Sequence, residues 1–156
     1  MNDIRNYDPA DGDLCQGDVL LFRLPDGYIP AKTQPIAPRA GQLILAEGEM
    51  TGHHHAIWFN PPQFRDDAMA RALEAQAEVT QPHGEARLHR DDALVQRLVS
   101  GGQLMTAALA IGFLTVEGEP AVLRHQEHDP IRIPPGDYYV GRQQEFHAGE
   151  ERRVAD

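Results

Sequence analysis

Proline and glycine divide this sequence into short apolar runs, and that spacing favours short strands over long helices. Of 156 residues, 12 are proline and 14 are glycine. The apolar run 19–24 ends at Pro25-Asp26-Gly27, and the run 111–116 ends in a turn signal at residues 117–120. Short β-type runs closed by turn residues are typical of sandwiches and barrels. The sequence therefore predicts a mainly β fold, either a barrel or a sandwich.

About seven strands are expected from these runs. They are residues 19–24, 42–47, 53–60, 111–116, 121–125, 131–133 and 137–143. The second and third should pair as a hairpin, and so should the fourth and fifth, because each pair is joined by a short glycine-containing turn. Residues 28–41 carry three prolines and are predicted to form a loop, although an edge segment is not excluded.

Two helices interrupt the strand pattern. Residues 65–79 are rich in alanine after an acidic start, and residues 91–102 begin with two aspartates and end with two glycines. The connection at 81–90 is polar. We therefore expect a single β-rich domain at 17–147 with a helical insertion at 65–100. Residues 1–16 are predicted to form a flexible N-terminal arm, and residues 148–156 a polar C-terminal tail.

The charge balance restricts the partners of the chain. Its formal net charge is −10, from 24 acidic and 14 basic residues, so neither nucleic acid nor an anionic membrane is an expected partner. A small-molecule ligand and a homo-oligomer remain compatible with this composition.

The first residues hold no signal-peptide core, and Cys15 is the single cysteine, which suits a reducing compartment. The sequence therefore predicts a cytoplasmic protein.

Three consecutive histidines lie within the strand pattern and belong to the fold. On a strand, His53 and His55 project to one face and His54 to the other, with Cα atoms of the first two roughly 6.5–7 Å apart. Two imidazoles at this spacing can converge on one divalent ion, and zinc, iron, manganese and nickel all accept imidazole nitrogen. The alternative is that both are polar residues on a solvated sheet face.

A second histidine cluster supplies the remaining candidate ligands. His125 and His128 flank the end of a predicted strand, and they converge if a turn begins early there. Glu127 shares a face with His125 if the strand continues instead. Glu127 and Glu49 are the candidate acid/base groups, and each is otherwise a solvated glutamate.

The remaining histidines, the tyrosine pair and the cysteine are predicted to have structural roles. His83, His89 and His147 lie in polar sequence and are predicted to be surface residues. Of Tyr138 and Tyr139, one should face the interior and the other the outside. Cys15 is predicted to be a half-buried small residue.

The order of these features resembles the cupin family: a glycine turn, His-x-His on a strand, and a late Pro-x-Gly turn before another strand. The likeness lies in residues 48–60 and 128–143. It implies a small β-barrel with one metal ion inside, and His53 and His55 match the two histidines of the first motif. Tyr139 stands where the last histidine ligand of the family would be. Phe59 or Asn60 replaces its glutamate ligand, so the set would be completed by residues 125–128.

Two classes of function follow from these residues. The first is a metal-dependent enzyme that acts on a small molecule through a histidine-ligated divalent ion. The second is a non-enzymatic module that senses a ligand or metal or contacts another protein. Glycine-rich nucleotide loops, a Gly-x-Ser-x-Gly elbow and Cys-x-x-Cys pairs are all missing from the sequence.

Overall fold

Strands make up most of the part of the chain that the structure describes. A computed structural model of the chain describes residues 4–39, 42–47, 53–58, 85–147 and 150–153. The strands are β1 (Arg5–Asn6), β2 (Leu14–Gln16), β3 (Val19–Arg23), β4 (Gln34–Ile36), β5 (Gln42–Glu47), β6 (His54–Trp58), β7 (Glu85–Arg90), β8 (Ala110–Glu117), β9 (Ala121–Arg124), β10 (Ile131–Ile133), β11 (Gly136–Arg142), β12 (Gln144–His147) and β13 (Glu150–Arg153). One α-helix, α1 (Asp92–Ser100), and a 3-10 turn at Pro9–Asp11 complete this part. The predicted mainly β fold is confirmed.

The strands form two large sheets. The five-stranded sheet has the order β1, β10, β9, β6, β5, and the six-stranded sheet has the order β2, β3, β11, β8, β7, β4. Strands β12 and β13 pair separately. Among the described strands no closed barrel forms.

Apolar side chains from both large sheets meet in one core. The five-stranded sheet contributes Leu43, Leu45, Ile57, Leu123, Ile131 and Ile133. The six-stranded sheet contributes Leu21, Leu88, Leu114, Val116, Tyr138 and Val140. Full burial of a leucine or isoleucine side chain stabilises a fold by roughly 1.5–3 kcal/mol. The shared core therefore holds the two sheets against each other.

The turn after β8 carries the chain from one sheet to the other. The predicted hairpin of residues 111–116 with 121–125 is wrong, because β8 pairs with β7 and β11 whereas β9 pairs with β6 and β10. Gly118, with φ 74°, lies in this turn. Turn residues mark where a strand ends, but they do not specify which sheet the next strand joins.

Two segments expected to lie outside the sheets belong to the six-stranded sheet. Strand β7 buries Ala86, Leu88 and His89 and exposes Arg87 and Arg90, so residues 85–90 are not a polar connection within a helical insertion. Strand β4 contains Pro35 and, among the described strands, pairs with β7 alone, at the edge of the sheet. Proline lacks a backbone donor, and an edge strand tolerates that loss. Of the two predicted helices, α1 is present and residues 65–79 lie outside the described residues.

The N-terminal segment differs from the predicted flexible arm. Strand β1 pairs in parallel with β10, and β2 pairs with β3. Tyr7 and Leu14 are buried in the shared core. These apolar residues, isolated among Asp and Asn, fix the described part of this segment to the sheets. Cys15, between them and β3, is exposed instead of half-buried.

Helix α1 covers the outer face of the six-stranded sheet. The Asp91 side chain accepts a hydrogen bond from the backbone N–H of Leu94 at 3.0 Å and caps the helix. Leu94, Val95 and Leu98 pack with Leu24, Phe113 and Tyr139. Tyr139 therefore faces outward from the core, as its alternation with Tyr138 predicts, but it is buried there, and burial raises its pKa to about 12. No helix in the described ranges is long and apolar enough to cross a membrane.

We expect Leu98→Ala to lower the free energy of unfolding by about 2–5 kcal/mol, because the mutation leaves a cavity under α1. Leu98 is 0% exposed. Val99→Ala on the same helix is the control and should cost less than about 1.5 kcal/mol, since Val99 is only partly buried. Urea unfolding followed by circular dichroism measures both values. Equal small losses would contradict the packing of α1 on the sheet.

Candidate histidine site

The hairpin of β5 and β6 places the first histidine pair. His55 pairs with Ala46 and His54 with Glu47, after a register shift between Ile44 and Ala46. His55 is completely buried, whereas His54 is partly exposed. Residues two apart on an extended chain share a face, and the His53 ring does lie beside the same second-cluster histidine as the ring of His55.

The second cluster reaches the first because β9 pairs with β6. Ala56 lies opposite Arg124, so in this antiparallel pair the next residue, His125, lies beside His55. The ring centroids of His55 and His125 are 4.3 Å apart, and those of His125 and His128 are 4.5 Å apart. Two segments separated by some seventy residues thus place their imidazoles together.

The ring separations have the size expected for imidazoles around one ion. With metal–nitrogen bonds of about 2.0–2.1 Å, two ring centroids lie about 4.5 Å apart at a right angle and about 6.3 Å apart when opposite. His53 and His125 are separated by 5.7 Å, and His55 and His128 by 6.2 Å with planes 9° apart. All four separations fall within or near this range.

Gln16 fixes the orientation of the buried His55 ring. The Gln16 amide nitrogen donates to the backbone oxygens of Leu123 at 3.1 Å and Asp129 at 2.9 Å. Its Oε1 therefore accepts from Nδ1 of His55, at 2.7 Å. His55 Nδ1 carries a hydrogen in this arrangement, and its Nε2 points elsewhere.

His55 Nε2 faces a buried carboxylate. Oδ1 of Asp18 lies 3.4 Å from this nitrogen, and the Asp18 side chain is only 4% exposed. The other carboxylate oxygen pairs with the guanidinium of Arg142. Arg142 also donates to the backbone oxygen of Glu47 at 2.9 Å. Asp18 thus lies between one histidine of the cluster and one arginine.

His125 has the opposite ring state. Its Nδ1 accepts from the backbone N–H groups of Glu127 at 3.1 Å and His128 at 3.3 Å. An imidazole nitrogen that accepts has no hydrogen, so Nε2 of His125 carries it. To bind a metal through Nε2, His125 would have to move its hydrogen from Nε2 to Nδ1. Nδ1 could then no longer accept from the backbone N–H groups of Glu127 and His128.

His54 takes no part in the cluster and connects three segments instead. Gln126 accepts from the backbone N–H of His54 at 2.9 Å and its amide nitrogen lies 3.3 Å from Nδ1 of that ring. Nε2 of His54 lies 2.9 Å from Oε1 of Gln42. Both ring nitrogens are engaged, which attaches the loop carrying His125 and His128 to the first hairpin.

Of the two predicted acid/base groups, the structure describes Glu127. Oε1 of Glu127 lies 3.6 Å from Nδ1 of His53, and the Glu127 side chain is 59% exposed. Glu127 therefore lies at the solvent side of the cluster, whereas Asp18 is buried. Glu49 lies outside the described residues.

The ligand atoms are not gathered around a single point as the side chains stand. Within the described ranges, no group of three or more His, Cys, Asp or Glu side chains has the geometry to hold a metal ion. The ring state of His125 is one physical reason, because its Nδ1 is turned toward the backbone of its own loop.

Sequence reasoning missed Gln16, the last residue of β2, and Asp18, in the β2–β3 turn, because both are distant in sequence from either histidine cluster. It also placed His89 on the surface, but His89 is 3% exposed, on β7, and neither ring nitrogen has a hydrogen-bond partner among the described residues. Burial lowers the pKa of His89, and nearby Lys32 and Arg87 lower it further. His83 lies outside the described residues.

The fold and the site together define a mainly β protein of two sheets with a histidine cluster at the junction of β6 and β9. One protein-family model, described as a domain of unknown function (DUF8820), matches residues 15–90 and 67–143. The two matches together take in more than half of the chain, which therefore belongs to this family. No curated protein and no solved structure matches the chain.

We expect His89→Phe to reduce the acid sensitivity of the fold. Because the pKa of folded His89 is below its usual 6.5, the unfolded chain gains a proton first as the pH falls, and stability is lost below about pH 6.5. Lys32, Arg87 and Asp137 face this ring and keep their charges in the variant. The native chain should lose up to about 1.4 kcal/mol per pH unit more than the variant.

Urea unfolding of both chains between pH 5 and pH 8 measures this difference. Parallel curves of unfolding free energy against pH would show that His89 does not titrate differently in the folded and unfolded states.

Proposed function

We propose that the chain binds one divalent metal ion at the histidine cluster, through His53, His55 and His128, with His125 beside them. The observation that carries this proposal is the set of ring separations, 4.3 to 6.2 Å, among four imidazoles from two distant segments. Imidazoles that lie this close all need partners for their ring nitrogens, and one shared ion would serve several of them.

The contact between Gln16 and His55 also favours this proposal. Metal-ligating histidines commonly donate their second N–H to a protein oxygen, which fixes the tautomer and directs the other nitrogen to the ion. Gln16 does this for His55, and its own orientation is set by two backbone oxygens. The Nε2 atom of His55 is thereby prepared as a ligand.

We further propose a cupin-like scaffold, with the two sheets as a sandwich or flattened barrel around the ion, and a reaction on a small molecule. The candidate metals are zinc, iron, manganese and nickel. Glu127 is the group to move a proton, because it lies 3.6 Å from His53 at the solvent side. Glu49 keeps the same role by its position in sequence. A chain with a single cysteine suits the cytoplasm, where iron and manganese sites stay reduced.

His125 has two roles open to it within this proposal. As a fourth ligand it must release the backbone N–H groups of Glu127 and His128. In its described ring state it instead presents an N–H group, which suits a hydrogen bond to an oxygen of a bound molecule.

A non-enzymatic metal or ligand sensor is the second candidate. The observation that favours it is the burial of His55 and Asp18, with exposed fractions of 0% and 4%. An ion held mainly by such buried groups would have few open positions for a substrate.

Elemental analysis of untagged protein tests the proposed metal site. We expect about one equivalent of Zn, Fe, Mn or Ni in the native chain after reconstitution. His53→Ala and His128→Ala should each reduce the bound fraction. Both are partly exposed residues, so their removal should leave the core intact.

His89→Gln is the control, because it removes a histidine from β7, in the other sheet. It should retain the native metal content. No metal in the reconstituted native chain would contradict the proposal, and so would equal metal content in all four proteins.

A further inference from the structure

We infer that Asp18 is a carboxylate ligand of this ion, which rests on the metal site proposed above. Neither histidine segment contains it, and it lies at the tip of the β2–β3 hairpin. The donor set is then nitrogen plus one carboxylate.

The distance between Asp18 and His55 fits two ligands of one ion. Charged hydrogen bonds between nitrogen and oxygen are about 2.7–2.9 Å long. Oδ1 of Asp18 and Nε2 of His55 are 3.4 Å apart. Two ligand atoms bound to one ion at about 2.0–2.2 Å lie about 2.9–3.5 Å apart. The observed separation fits the second geometry.

The hydrogen-bond network directs the two ligand atoms at each other. Nδ1 of His55 donates to Gln16, so Nε2 is the ring atom that faces the carboxylate. Arg142 pairs with the other oxygen of Asp18, and Oδ1 is the atom directed at His55. A divalent ion can bind Nε2 and Oδ1 together with both groups in their present positions.

The local backbone holds Asp18 in place before any ion binds. Gln16 pairs with Val19, so Gly17 and Asp18 form a two-residue turn, and Gly17 has the positive φ of 55° that such hairpin turns need. The backbone oxygen of Asp18 accepts from the N–H of Gln143 at 2.7 Å. Little conformational entropy is therefore lost when the carboxylate binds.

A mixed nitrogen and carboxylate set narrows the chemistry of the site. Such sets with open positions suit Fe(II) and Mn(II) as well as zinc, whereas an all-imidazole set suits zinc and copper more closely. The buried negative charge also favours a cation over an anionic ligand at this end of the cluster.

A competition titration with Zn²⁺ and a chelating dye tests the inference on the full chain. Asp18→Asn should weaken Zn²⁺ binding at least about 100-fold, since loss of a ligand should exceed the 10–100-fold effect of a supporting residue. Arg142→Gln removes the ion pair and keeps the carboxylate, so its loss should stay within the roughly 10–100-fold of a supporting residue and below that of Asp18→Asn. Asp137→Asn, which breaks an ion pair with Lys32 on the other face of the sheet, should bind as the native chain does.

Each outcome has a definite meaning. Equal losses in Asp18→Asn and Arg142→Gln would overturn the inference, because Asp18 would then act only as the partner of Arg142. Native affinity in Asp18→Asn would also overturn it and leave the histidine site standing. No Zn²⁺ binding by the native chain would remove the proposed site and this inference together.

A cobalt spectrum gives a readout that a folding defect cannot imitate. In a Cys15→Ser background, Asp18→Cys should give a near-ultraviolet thiolate-to-Co²⁺ charge-transfer band, because a thiolate is itself a metal ligand. Cys15→Ser alone should lack the band. A folded Asp18→Cys protein that binds Co²⁺ without this band would overturn the inference.

Discussion

The site depends on one constraint: His55 is buried at the junction of the two sheets, where its ring requires polar partners. His55 lies on the five-stranded sheet and is wholly buried. Its partners Gln16 and Asp18 come from the β2–β3 hairpin of the other sheet. Gln16 also bonds to the backbone of Leu123. The sheets are therefore joined here by directional contacts, in addition to the apolar core that they share.

The apolar core and the polar contacts around His55 have different roles. The apolar core stabilises the fold without any ligand, and a chain of this length does not need a metal to fold. The polar contacts around His55 include Asp18, whose charge is balanced by Arg142, and imidazoles whose ring nitrogens need polar partners. An ion would add to that balance without carrying the fold. Function and stability are thus separated within one set of strands.

Sequence patterns predicted local structure better than pairing between distant strands. Alternation and turn residues gave the β5–β6 hairpin and the class of fold, and caps at Asp91 and Gly101 gave α1. The same patterns could not show that β8 and β9 join different sheets, because a turn leaves that choice to long-range packing. They identified four histidines that the structure brings together. They missed Asp18, because a Gly-Asp turn looks the same whether its carboxylate faces solvent or a buried ring.

The most direct measurement of the central claim is a crystal structure of metal-loaded protein with anomalous data collected on both sides of the metal absorption edge. The account predicts one anomalous peak, with ring nitrogens of His53, His55 and His128 and Oδ1 of Asp18 about 2.0–2.2 Å away. A peak elsewhere, or none among these four side chains in fully loaded protein, would contradict it.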